Sequence, residues 1–288
     1  MQVKPTHTSF ARFVSSLLPP KPNDVPLYYH TPRHPNYNPD VAVIDKIVLG
    51  VVPTAAVYDD IGYPQMQNGT AQTPNNNLEQ RRRRPPRTAC FLHRPFTLDR
   101  RRVRKGTLVL SSHTSFDENL TVGWNPALAA RLGMNIADSL CVQGYKGDPD
   151  RKIGIISRMD SFRALLLGQI KQEFGRVEHI HEGGSEDIAV VAIMNAFHAE
   201  EVYRVMDVAR QQEWISPETG GRDLLYLTGQ MRGAGMAAAK ELGITVVCVG
   251  HLAAEEWGLR YMADCLRAAF PDVLVREALE DEVSTAAT

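Results

Sequence analysis

Cysteine is scarce. The chain carries four in 288 residues, Cys90, Cys141, Cys248 and Cys265, with no C-x-x-C pair and none of the close spacing that staples small secreted domains. That pattern favours a reducing compartment, the cytoplasm or the nucleus. Long apolar runs are also missing, and none approaches the roughly 18 to 20 residues a helix needs to cross a bilayer. A membrane-spanning helix is therefore not expected. No Walker A spacing, nucleophile elbow or Ser-His-Asp arrangement occurs, which leaves covalent catalysis without a candidate residue.

Charge of one sign is lacking overall but not locally. Thirty-two Lys and Arg face 33 Asp and Glu, for a net charge of −1. Arg81 to Lys105 nevertheless holds eleven bases against Asp99 alone, and removing this +10 from −1 leaves the rest of the chain at −11. Residues 64–87 are rich in Gln, Asn, Pro and Arg and offer little apolar surface to offset the entropy of ordering, so this stretch reads as a disordered insertion. Arg81 to Arg84 could contact nucleic acid or act as an import signal. No aromatic residues interleave to stack bases, however, and the solvated reading is preferred.

What is present is core-forming material, with 43% apolar residues in a chain of one large or two medium domains. At the start, Phe10 to Leu18 reads as a first helix capped by Thr8 or Ser9 and stopped at Pro19-Pro20, in preference to a mitochondrial presequence. Short β-branched runs predict buried strands at Lys46 to Val52, Thr88 to Leu92, Gly106 to Leu110, Asp187 to Met194, Leu224 to Leu227 and Ile244 to Val249. Helices are expected over Asn125 to Leu132, His198 to Gln212, Ala237 to Leu242 and from Leu259 to the stop at Pro271. Alternation of the two predicts an α/β fold with mixed sheets. The expected organisation is a first α/β half at 1–63 and 88–135, the insertion at 64–87, a glycine-punctuated linker at 136–186, and a second half at 187–288.

Three polar clusters follow strand ends, where open α/β sheets place their ligands: His93-Arg94-Pro95, His113 to Asp117, and Gly250-His251 to Glu255. His251 and Glu255 stand at i and i+4, close enough on a helix for an imidazole and a carboxylate to share a cation. Alone, this pattern is more often a solvent-facing pair. With His93 and Asp117 at the corresponding ends of other strands, the set becomes two histidines and two carboxylates, suited to zinc, iron or manganese. Asp117 could instead cap a helix, and His113 reads first as an ordinary loop histidine. His179, His181 and Glu182 read as solvated loop residues. Gly229 to Gly235 is a strand-to-helix turn without a nucleotide fingerprint.

At these clusters the chain resembles the NIF-three-like family of ring-forming dinuclear-metal proteins, also described as GTP cyclohydrolase type-two-like. One matching block is Leu224 to Gln230, a helix, Ile244 to Val249, and Gly250-His251-Leu-Ala-Ala-Glu255. The other is Ser112-His-Thr-Ser-Phe-Asp117 with Gly123-Trp-Asn-Pro-Ala-Leu-Ala-Ala-Arg-Leu-Gly133. The resemblance implies two related α/β halves with a metal crevice between them. It further implies one or two divalent ions (Zn, Fe or Mn) on His93, Asp117, His251 and Glu255, and a homo-oligomeric ring, usually a hexamer. Arg94 stands where the family has a second histidine, and a guanidinium has no lone pair to give a metal. Gln230 replaces an acid and Gly233 a common histidine, which points towards a mononuclear or degenerate centre.

Two functions follow from the resemblance. The first is a metal-dependent hydrolase acting on a nucleotide-like substrate, with His113 moving a proton and Arg94 holding an anion. The second is an adaptor, because the family name refers to a transcriptional partner; the metal is then structural or absent.

Overall fold

The computed structural model describes residues 4–63 and 86–279. Residues 64–85, most of the expected insertion and all of Arg81 to Arg84, lie outside the described residues. By internal contacts the chain forms two compact units, residues 1–113 with 262–288, and residues 114–261.

In the first unit, helix α1 (His7–Leu17) is followed by β1 (Tyr28–His30), β2 (Lys46–Gly50), α2 (Ala55–Ile61), β3 (Thr88–Leu92) and β4 (Leu108–Ser111). The cap of α1 is Thr6 rather than Thr8 or Ser9. Its hydroxyl accepts from Ser9 N–H at 3.3 Å while Ser9 Oγ accepts from Thr6 N–H at 2.8 Å, so Ser9 serves as the reciprocal partner one turn in.

In the second unit, α3 (Thr114–Asn119) and α4 (Pro126–Arg131) precede β5 (Leu140–Tyr145) and the 15-residue β6 (Asp148–Phe162). After them come α5 (Arg163–Phe174), β7 (His179–His181), β8 (Asp187–Met194), α6 (Ala199–Gln211), β9 (Leu224–Thr228), α7 (Gly233–Leu242) and β10 (Thr245–Cys248). Helix α8 (His251–Ala269) carries the chain back to the first unit, where β11 (Leu274–Glu277) completes a five-stranded sheet.

That sheet has the order β1-β4-β3-β2-β11, parallel except for β1, which runs against β4. Every residue of β3 and β4 is buried, as expected for parallel strands that read as continuous apolar runs. The second sheet has the order β5-β6-β8-β9-β10-β7, with β8, β9 and β10 parallel and the other strands antiparallel.

Alternation along β8 sends Val190, Ala192 and Met194 to one face, where Val202, Val205 and Met206 of α6 cover them. Val191 and Ile193 point to the opposite face, against Leu166, Ile170 and Phe174 of α5. Helices thus cover both faces of this mixed sheet, and the chain has the expected α/β fold class.

Two readings are corrected here. His179 and His181 lie on a strand, because β7 pairs with β10 through His179 opposite Cys248 and His181 opposite Val246. The glycine-punctuated stretch 136–186 carries β5, β6, α5 and β7, all within the second sheet and its helical cover.

Candidate metal centre

Strands β2, β3 and β4 are parallel and in register, so their C-terminal ends deliver the following residues to one edge of the first sheet. His93 is the first residue after β3 and is fully buried. Its backbone N–H donates to Gly50 O at 3.1 Å, and the next N–H, of Arg94, donates to Val51 O at 2.7 Å, extending the β2–β3 ladder into the turn. The imidazole Nδ1 lies 3.2 Å from the carbonyl of Ser112. A carbonyl only accepts, so Nδ1 carries the hydrogen and the ring's lone pair is on Nε2. This is the arrangement that fixes a histidine as a metal ligand.

His113, just beyond β4, sits with its ring 4.8 Å from that of His93, and Phe96 meets it edge-on at 5.5 Å. Its backbone is held by Asp24, whose Oδ1 accepts from His113 N–H at 2.8 Å while Oδ2 accepts from Ser112 Oγ–H at 2.9 Å. Asp117 is one turn further along, in the first turn of α3. One ligand atom from each of His93, His113 and Asp117 lies within 4.8 Å of the other two. His113, read from sequence first as a loop histidine, therefore belongs to the donor group.

Within the second unit, Asp117 lines a cavity of about 50 Å³ together with Asn195, Gln230, His251 and Glu255. One water needs roughly 10–15 Å³ of such space, so the cavity has room for an ion with a water or for a few waters. His251 Nε2 is 3.2 Å from Glu255 Oε1, the i, i+4 pairing expected at the start of α8, with Glu255 buried and His251 exposed. Gly250 turns the chain from β10 into α8 at φ +95°, in the left-handed region. Asp117 is fixed through its carbonyl, which accepts from Thr121 Oγ1–H at 2.6 Å and from Asn195 Nδ2–H at 3.0 Å. Arg151 approaches the same turn, with Nη2 3.8 Å from Asp117 Oδ2 and Nε 3.2 Å from Oε1 of the buried Glu118. Gln230 turns its carbonyl oxygen to Arg232, 2.6 Å away.

A family profile described as Duf34/NIF3 (NGG1p interacting factor 3) matches residues 98–285. The chain belongs to this family. Its architecture agrees with solved structures at low identity. Protein ybgI, of unknown function, is 17% identical with a TM-score of 0.59, covering 95% of this chain and 97% of that one. Reduced HcgD from Methanocaldococcus jannaschii is 16% identical with a TM-score of 0.60, over 98% and 100%. A Bacillus cereus protein related to NIF3 is 11% identical with a TM-score of 0.55, over 98% of each chain. At these identities the likeness shows the Duf34/NIF3 fold alone. No curated protein matches the chain.

Sequence reasoning singled out His93, His113, Asp117, His251 and Glu255. It missed Asp24, Asn195, Glu118 and Arg151. Nothing in Lys21-Pro-Asn-Asp24 marks a carboxylate that will clamp a loop 89 residues later. Arg151 was hidden in the stretch expected to be a linker. Among the described residues no helix is long and apolar enough to cross a membrane.

Proposed function

We propose that this member of the Duf34/NIF3 family is a metal-dependent hydrolase acting on a nucleotide-like substrate. The divalent ion, zinc, iron or manganese, would be held by His93, Asp117, His251 and Glu255, with His113 beside them. The observation that carries this reading is the donor group itself, two imidazoles and a carboxylate with ligand atoms within 4.8 Å of one another. Such a mixed nitrogen and oxygen set suits a borderline or hard first-row cation and fits poorly with thiophilic ones. When bound, the ion supplies Lewis acidity at neutral pH.

The chain's own residues do the rest. Ser112 carbonyl fixes the tautomer of His93, Asp24 holds the backbone of His113, and His113 would move a proton. Arg94, as a forked cation, suits a phosphate on the substrate. A homo-oligomeric ring and a location in the cytoplasm or nucleus complete the proposal.

A second reading is favoured by one contact. Arg151 shares the negative charge of Asp117 and Glu118, which lowers the demand of this turn for a metal. On that reading the protein is an adaptor with a structural or degenerate centre, in line with the interaction named in the family description.

Elemental mass spectrometry of untagged protein distinguishes them. One or two metal atoms per chain in the wild type, falling in both His93→Ala/Asp117→Ala and His251→Ala/Glu255→Ala, supports the metal centre, and release of product from nucleotides then supports hydrolysis. No metal after reconstitution with zinc, iron and manganese leaves the adaptor.

A further inference from the structure

A second cavity lies wholly within the first unit and shares no residue with the metal centre. It is an open cleft of about 960 Å³, at the upper end of the range for sites that take a small organic ligand. Its charge is one-sided. Arg33, Arg87, Arg100, Arg101 and Lys105 line it, and no carboxylate is among the described residues that do. Four of these five, Arg87, Arg100, Arg101 and Lys105, come from the basic stretch Arg81 to Lys105 and take no part in the metal chemistry, unlike His93 and Arg94 of the same stretch.

These cations differ in availability. Arg87 is neutralised by a two-point pair with Asp45, Nε at 2.9 Å from Oδ2 and Nη2 at 3.0 Å from Oδ1. Arg100 rests over the Tyr29 ring at 4.9 Å. Arg33, Arg101 and Lys105 are exposed. His30, on the same lining, is held below the ordinary imidazole value by burial first and then by Arg100 and Arg33.

The remaining lining is aromatic and apolar. Tyr63 is half exposed at 50% and Val41 is 70% exposed. Tyr37 packs its ring 5.6 Å from that of the buried His7 and takes a 2.8 Å hydrogen bond with His7 Nδ1 through its hydroxyl. Exposed Val and Tyr beside a row of cations cost hydration without contributing to the core. A ligand with an apolar ring and several negative charges would satisfy both parts of the surface.

We propose that this cleft binds a small polyanion carrying a flat ring, of the chemical class of a nucleoside polyphosphate, with Arg33, Arg101 and Lys105 on the charged end and Tyr37, Tyr63 and Val41 on the ring.

Calorimetric titration of the full chain with ATP in EDTA tests this, because removing metal silences the other site. Arg101→Glu/Lys105→Glu should weaken ATP at least tenfold, and Tyr63→Ala severalfold, with unchanged melting curves. His251→Ala/Glu255→Ala should leave the affinity as in wild type. Raising salt from 50 to 500 mM should weaken binding, as screening demands of exposed charges. Absence of ATP binding, or equal affinity in Arg101→Glu/Lys105→Glu, overturns the proposal. Inorganic triphosphate binding as tightly as ATP overturns the assignment of the ring. Loss of metal in the elemental assay with ATP binding intact would sink the hydrolase reading and leave this one standing.

Discussion

His113 donates its backbone N–H to a carboxylate oxygen of Asp24 at 2.8 Å, across 89 positions of sequence. The same carboxylate takes the Ser112 hydroxyl, so both residues leading out of β4 are fixed by one side chain. Ser112 in turn offers its carbonyl to His93. Asp24 thus holds the backbone of His113 directly and, through Ser112, the carbonyl that orients the His93 ring.

Asp24→Asn should therefore loosen the loop. The amide keeps the shape but can accept at only one of the two positions, and a hydrogen bond to a charged group contributes about 1.5–3 kcal/mol. We expect urea denaturation to show a loss near the lower end of that range. Metal affinity should fall by about 10- to 100-fold, as for other outer partners of ligating groups. Unchanged metal affinity would show that Asp24 only stabilises the fold.

Two glycines near the second donor pair should respond in opposite ways to alanine. At Gly250, φ is +95° and an added Cβ would meet the Glu178 carboxylate. The backbone alone costs an alanine about 1–2 kcal/mol in that region. Gly250→Ala should lower the melting temperature and displace His251, reducing bound metal. Gly233, the first residue of α7, has nothing within 4 Å of an added Cβ, so Gly233→Ala should be neutral or slightly stabilising.

The buried parallel strands were legible because a strand covered on both faces must be continuously apolar. Thr88–Leu92 and Thr245–Cys248 leave no alternative to burial. Helix ends were legible where a cap is local, as at Asn125, whose side chain accepts from Leu128 N–H at 3.0 Å. Residues 140–162 were not legible. Six of the 15 residues of β6 are exposed and five are buried in one unbroken run, and its pairing with β5 shifts register between Val142 and Tyr145, so no clean period-two pattern survives. The i, i+4 geometry of His251 and Glu255 could be read from spacing alone. The addition of His113 to the donor group could not, since the loop that carries it is held by Asp24, 89 positions earlier.

None of the four cysteines is in a disulfide, and their reactivity should split by burial. Cys90 and Cys248 are buried in parallel strands, and burial pushes both thiols above the ordinary value, Cys90 strongly. Cys141 and Cys265 are partly exposed. A thiolate is the reacting species, so a disulfide reagent at pH 8 should modify Cys141 and Cys265 first and reach Cys90 and Cys248 only on unfolding. Rapid native labelling of Cys90, read by peptide mass spectrometry, would contradict the packing of β3.

His7 sets a pH dependence of stability. Its imidazole is 2% exposed, and burial lowers its pKa from 6.5 to about 4. The unfolded chain then binds a proton that the folded chain refuses between those two values. Stability from this group is accordingly complete above about pH 6.5 and lost as pH falls towards 4. At 1.36 kcal/mol per unit the full loss is about 3 kcal/mol. His30 and His181 are lowered as well and add slope of the same sign. His7→Gln removes the titration while keeping a polar group opposite the Tyr37 hydroxyl. Denaturant unfolding at pH 7.5 and pH 4.5 should give a smaller difference for the variant than for wild type, by roughly 2–3 kcal/mol. Equal differences in the two proteins would mean that His7 takes up its proton in the folded state without cost.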